Sequence, residues 1–209
     1  MLDRDNVQEQ DTCVRVSTSP HVLGQIAEPD CAAAVWQRDL MPAFQAWIDN
    51  LPPEHLPKAR VILRPDAVES AMQQSCEIAG TPEGEERDQL VNDMSHLAQH
   101  FAKVIKAGWL RLRLDVVDTN ACRKFHMDMI RARLVCTYRG TGTQYGVVQG
   151  DGDPTRITTI GAGSPMVMRG TLWPTEPDSG LRHRSPPIEG TGEVRLLLVL
   201  DPVEGPDAA

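Results

Sequence analysis

The sequence predicts an α+β protein in which a helical first half is packed on a β-rich second half. Three observations carry that reading. Apolar residues recur every three or four positions up to about residue 108. The period changes to two at Trp109. Short apolar runs separated by Gly and Pro then continue to Asp201, the pattern of an all-β sandwich, barrel or jelly roll. With 209 residues, 24% charged and 41% hydrophobic, the chain is long enough for one globular unit with a sizeable core.

Residues 1–28 are polar and aperiodic and read as a flexible N-terminal segment. Residues 29–108 form the helical part. Trp36, Leu40, Phe44, Trp47, Ile48 and Leu51 fall at helical spacing, with Asp39 as a cap and Pro42 in the first turn, where proline is tolerated. A second helix starts from Asp66 and Glu69 as a capping box, buries Val68, Met72, Cys76 and Ala79, and closes at Gly80. A third carries Leu90, Met94, Leu97, Phe101, Val104 and Ile105 on one face and ends at Gly108. Residues 109–201 form the β part. In "WLRLRLDVV", Leu110, Leu112, Leu114 and Val116 alternate with Arg111, Arg113 and Asp115, as in a half-buried strand. "RLVCTY", "YGVVQ", "RITTI", "PMVMRG" and "VRLLLVL" follow as short strands, and 202–209 is a tail.

Composition excludes several functions. A net charge of −8 opposes non-specific binding to nucleic acid, whose phosphates require clustered Lys and Arg. The first residues, "MLDRDNVQEQDTC", have neither the basic nor the apolar region of an export signal, and "LLLVL" is far too short to span a membrane. Cys13, Cys31, Cys76, Cys122 and Cys136 contain no C-x-x-C pair and read as reduced thiols, so a cytoplasmic location is expected. No Ser-His-Asp elbow and no P-loop lysine are present.

The chemistry centres on "CRKFHMD". His126 and Asp128 are two apart, so on an extended strand both face the same way. His183, the one histidine beyond them, completes a two-His-one-carboxylate set that suits Fe(II) with open coordination positions. The bland alternative is three structural polar residues. Arg195 opens an apolar strand, where an anionic partner such as a co-substrate carboxylate would account for it; the alternative is a surface pair with Glu193 or Asp201. Tyr138 has the strand parity of His126 and Asp128 and is the candidate second contact to that carboxylate, or a core tyrosine. Cys122, four residues before His126, is the candidate fourth ligand, and a closed set with a thiolate favours zinc. Cys136 lies about 33 Å beyond His126 if the chain is extended and reads as core. His96 and His100, four apart on the third helix, read as part of its solvated side.

The order His126, Asp128, His183, Arg195 resembles the Fe(II)/2-oxoglutarate oxygenase superfamily, and "GSPMVMRG" resembles the strand before its distal histidine. That resemblance implies a double-stranded β-helix of the jelly-roll, cupin-like kind, Fe(II) at the triad, 2-oxoglutarate paired with Arg195, and oxidative hydroxylation of a small-molecule or protein substrate. The motifs "CRKFHMD", "RLVCTYRGTGT", "LWP", "HRSPPI" and "RLLLVLD" resemble more closely a bacterial family known as domain of unknown function eighteen twenty-six, over roughly residues 110 to 201. Arg123 stands where that family has proline. The family's association with zinc homeostasis implies a second reading, a non-catalytic zinc-binding protein on the same scaffold. A homodimer stays open in either case.

Overall fold

A computed structural model describes residues 13–148, 150, 152–174 and 179–208. It is a mixed α/β structure built around a large, mostly antiparallel sheet. The strands are β1 (Val14–Ser17), β2 (Ala33–Trp36), β3 (Ala59–Leu63), β4 (Trp109–Val117), β5 (Ala132–Arg139), β6 (Gln144–Val147), β7 (Thr158–Thr159), β8 (Met166–Arg169), β9 (Leu181–Arg184) and β10 (Arg195–Val203). Seven of them form the large sheet in the order β1-β2-β8-β5-β10-β4-β3, antiparallel except for the β1–β2 pair. The small sheet has the order β7-β6-β9 and is extended beyond β9 by an antiparallel bridge between His126 and His183. From β4 onward the chain runs from the large sheet (β4, β5) to the small one (β6, β7), back to β8, out to β9 and back to β10, so most paired strands are distant in sequence.

Period-two alternation gives the large sheet two apolar faces. Leu110, Leu112 and Leu114 of β4, Leu134, Cys136 and Tyr138 of β5, and Leu196, Leu198 and Leu200 of β10 belong to one buried cluster. Side chains of the helices α1 (Pro42–Asn50), α2 (Val68–Ala79) and α3 (Glu85–Ile105) share it, among them Phe44, Met72 and Phe101. Each fully buried Leu or Phe there contributes about 2 kcal/mol of apolar transfer. On the opposite face Val135, Met166, Met168 and Val199 pack against Tyr145, Ile160 and Leu181 of the small sheet and its connections.

Several local expectations change. Part of the segment expected to be a flexible lead-in is structured: β1 and a 3-10 helix over Pro20–Ala27 bury Val22, Leu23 and Ile26. The short period of a 3-10 turn hides those residues from a helical or strand pattern. The 29–108 part is not purely helical, because β2 and β3 add strands to both flanks of the sheet. Trp36 ends β2, and Met41 rather than Asp39 precedes α1, whose first residue is Pro42. Asp66 lies in a 3-10 turn over Pro65–Ala67 and makes no capping hydrogen bond to α2. Gly80 does close α2, at φ 64°, which glycine adopts without steric cost. Lys106, at φ 54°, terminates α3 two residues before the expected Gly108.

Candidate metal centre

The main chain brings two histidines together. His126 and His183 exchange both backbone hydrogen bonds, N–H to O at 3.0 Å in each direction. Residues directly opposite in such a pair project to the same side, and the two rings stand with centroids 4.5 Å apart. Asp128, two residues on, returns to that side: its Oδ1 is 3.6 Å from His126 Nε2 and its Oδ2 is 3.1 Å from His183 Nε2. One ligand atom from each of the three residues therefore lies within 4.8 Å of the others.

The donor set fits a metal ion. His126 Nδ1 is 2.9 Å from the carbonyl oxygen of Lys124. A carbonyl only accepts, so Nδ1 carries a proton and Nε2 is the ring atom that faces Asp128 and would ligate a metal, the arrangement that orients a ligating histidine. Asp128 Oδ2 is buried and has no hydrogen bond of normal alignment, although Arg133 Nη1 stands 2.5 Å away. Burial alone would push the Asp128 carboxyl up, but contact with His183, followed by the charges of Arg133 and His126, more than offsets it and holds it down at about 2. The carboxylate is thus ionised at any neutral pH.

Arg133 is the residue that sequence reasoning missed. Its Nε and Nη2 donate to Asp201 Oδ1 and Oδ2 at 2.6 and 2.7 Å, a bidentate pair, while Nη1 faces Asp128. Asp201, near the end of β10, is thereby committed to Arg133 and does not pair with Arg195. The signal was inward parity: Arg133, Val135 and Thr137 alternate on β5.

Arg195 is completely buried at the start of β10. Its Nε donates to the carbonyl of Thr141 at 2.6 Å and its Nη2 to Thr137 Oγ1 at 3.3 Å, whereas the buried Nη1 has no hydrogen-bond partner among the described residues. Burial pulls its pKa down to about 10, with the Glu193 charge opposing. Glu193 itself accepts from the N–H and hydroxyl of Thr141. Gly140, at φ 79°, makes the turn over this guanidinium; a Cβ there would lie 2.9 Å from Arg195 Cγ.

Tyr138 is elsewhere. Its hydroxyl donates to Asp93 Oδ2 at 2.6 Å, and Asp93 also takes a bidentate pair from Arg38 at 2.7 and 2.6 Å. It lies on the helix-facing side of β5, in the apolar cluster opposite the one that adjoins the triad. Parity counted from His126 fails because residues 129–131 are not strand. Cys122 is exposed and lines the hollow beside the histidines, but its sulfur is not among the converging ligand atoms. A closed four-ligand set is not formed.

Two hollows meet at the triad. One, of about 100 Å³, is lined by His126, His183, Val135, Leu197 and Val199. The other, of about 650 Å³, opens on Asp128 and Arg133. The first lies between the sheets. Val135 is the step between Arg133, at the triad, and Thr137, which holds Arg195. No helix among the described residues is long and apolar enough to cross a membrane.

Comparison with known proteins gives one family. A family model described as "Protein of unknown function (DUF1826)" matches residues 17–201. No curated protein matches the sequence. Among solved structures, a 2OG-Fe(II) oxygenase family oxidoreductase from Burkholderia pseudomallei is similar at 15% identity and a TM-score of 0.46, over 93% of this chain and 95% of that one. A prolyl-4-hydroxylase from Pseudomonas putida is similar at 13% identity and 0.44, over 88% and 93%. The 2-oxoglutarate complex of a dioxygenase for auxin oxidation from Arabidopsis thaliana is similar at 11% identity and 0.47, over 93% of each chain.

Proposed function

The chain belongs to this family of unknown function, and we propose that it is an Fe(II)- and 2-oxoglutarate-dependent oxygenase whose metal is held by His126, Asp128 and His183. The scaffold is then a double-stranded β-helix with the N-terminal helices packed on the outer face of its large sheet. The observation that carries this reading is the convergence of two imidazoles and one carboxylate within 4.8 Å, with no fourth protein ligand among the described residues. Three ligands leave open positions for a bidentate co-substrate and dioxygen.

The residues divide the work. His126, fixed in tautomer by the Lys124 carbonyl, and His183, held to it by the main-chain bridge, supply nitrogen ligands. Asp128 supplies the carboxylate, oriented by the Arg133 guanidinium, which Asp201 in turn holds bidentately. Arg195, with one buried nitrogen still without a partner, takes the far carboxylate of 2-oxoglutarate, and Thr137 steers that guanidinium. The chemistry Fe(II) and 2-oxoglutarate would supply, if bound, is activation of dioxygen: dioxygen would be the oxidant, 2-oxoglutarate would give up two electrons on decarboxylation to succinate and carbon dioxide, and one oxygen atom would pass to succinate and the other to a substrate C–H bond. Val135, Leu197 and Val199 give the hollow beside the two histidines an apolar wall.

The test is an anaerobic titration of 2-oxoglutarate into Fe(II)-loaded protein, with wild type, His183→Ala and Arg195→Ala side by side. A metal-to-ligand charge-transfer band is expected in wild type and absent in His183→Ala. In Arg195→Ala the half-saturating concentration should rise about ten-fold or more, since a charge-assisted pair is worth about 1.5–3 kcal/mol. Tight zinc binding with no 2-oxoglutarate response in any form would overturn the proposal.

A further inference from the structure

The larger hollow has a composition that the triad does not require. Its walls carry Arg60 of β3, Arg111 and Arg113 of β4, and Arg133 of β5, and it opens on the Asp128 side chain. Cross-strand register explains the cluster: Arg60 pairs with Arg113, Ile62 with Arg111, and Arg111 with Asp201. Alternation then sends Leu110, Leu112 and Leu114 to the helices and the arginines to the opposite, concave face.

Those charges are poorly matched by nearby acids. Asp201 is committed to Arg133 at 2.6 and 2.7 Å. Arg113 reaches Asp201, and Arg60 reaches Asp115, only at 3.8 Å, beyond hydrogen-bond distance. Arg111 donates to the backbone carbonyl of Ala208 at 3.0 Å, which uses one of its five N–H donors, and has no carboxylate within 4 Å among the described residues. Like charges directly opposite across strands, as at Arg60 and Arg113, destabilise a sheet. Such a pairing, in a chain whose net charge is −8, calls for an anion between them. All four cations are arginine, whose planar fork matches carboxylate and phosphate oxygens in pairs.

We propose that this groove is the substrate's anion subsite: it holds the carboxylate or phosphate of a small acidic molecule, bringing a neighbouring carbon to the metal centre. The proposal rests on the Fe(II) reading given above. A volume of about 650 Å³ is that of a small-ligand cleft, and the overall negative charge disfavours a polyanion. The two hollows share Arg113, Cys122 and Arg133, so a molecule anchored in one borders the histidines that line the other.

The experiment uses metal-free full-length protein with two probes, methyl phosphate and propionate, followed by NMR titration. Saturable binding of at least one is expected, and the tighter of the two tells phosphate from carboxylate. Arg111→Gln and Arg113→Gln should each weaken it at least five-fold; Arg60→Gln, at an exposed position that folding tolerates, should weaken it measurably. His183→Ala should bind the probe as wild type does. Manganese should then broaden the bound probe's resonance in wild type and not in His183→Ala. Failure of both probes to saturate, or affinity unchanged in all three arginine variants, overturns the subsite. Saturable binding that the arginine variants weaken, but with no manganese effect in wild type, overturns instead the metal reading and with it the assignment to a substrate.

Discussion

At the scale of single residues, environment separates side chains that look alike in the sequence. Tyr138→Phe removes the donor to Asp93 while Arg38 keeps its bidentate pair there. It should cost about 1–2 kcal/mol in denaturant unfolding and leave metal and 2-oxoglutarate binding unchanged. Thiols should divide similarly. Burial pushes Cys31 up to about 11 and Cys136 up to about 12, whereas Cys122 is exposed. Iodoacetamide at pH 8 should therefore label Cys122 and spare Cys31 and Cys136, as read by peptide mass. Asp128 gives a pH signature in the metal-free protein. Its carboxyl falls from 3.8 to about 2 on folding, so the ionised form favours the native state above the unfolded value. That contribution is lost as pH falls from 3.8 through about 2. Wild type should lose stability across that window more steeply than Asp128→Asn.

At the scale of elements, the strands rich in apolar residues beyond Trp109 were legible, and β9, which carries His183, was not. β4 alternates apolar and polar residues, and β5, β8 and β10 carry short apolar runs between turn residues, enough to read from the chain alone. β9 is "LRHR", with Leu181 its one apolar residue, and it becomes a strand by pairing with β6 and His126. His126, Asp128 and His183 were legible as a spacing and an order. The arginine groove was not, because "RLRLD" has the same alternation whether its polar side meets water or a second sheet. That choice is made by partners distant in the chain. Close approach between elements also gives a test. A Cβ at Gly142 would sit 1.9 Å from the carbonyl oxygen of Ile160, while one at Gly24 meets nothing within 4 Å. Gly142→Ala should lower stability by about 1–3 kcal/mol or more, and Gly24→Ala should change it little, in thermal melts.

At the scale of the whole molecule, residues 14–27, expected to be a flexible lead-in, contribute to the core. Ile26 and Leu23 are fully buried in the cluster that includes Phe101 and Leu134. Ile26→Ala should therefore cost about 2–5 kcal/mol, where a flexible leader would have cost nothing. The pairing of His126 with His183 has a consequence on the same scale. These two residues close a loop that contains β5, β6, β7 and β8, and besides the main-chain bridge their side chains meet at Asp128. An ion held there would rivet the small sheet shut, removing much of the entropy that the opened loop would gain. Metal affinity and the lifetime of that closure then become one quantity measured in two ways. Each tenfold excess of Fe(II) over its dissociation constant should add about 1.4 kcal/mol to stability, and amide exchange at residues 126 and 183 should slow in step.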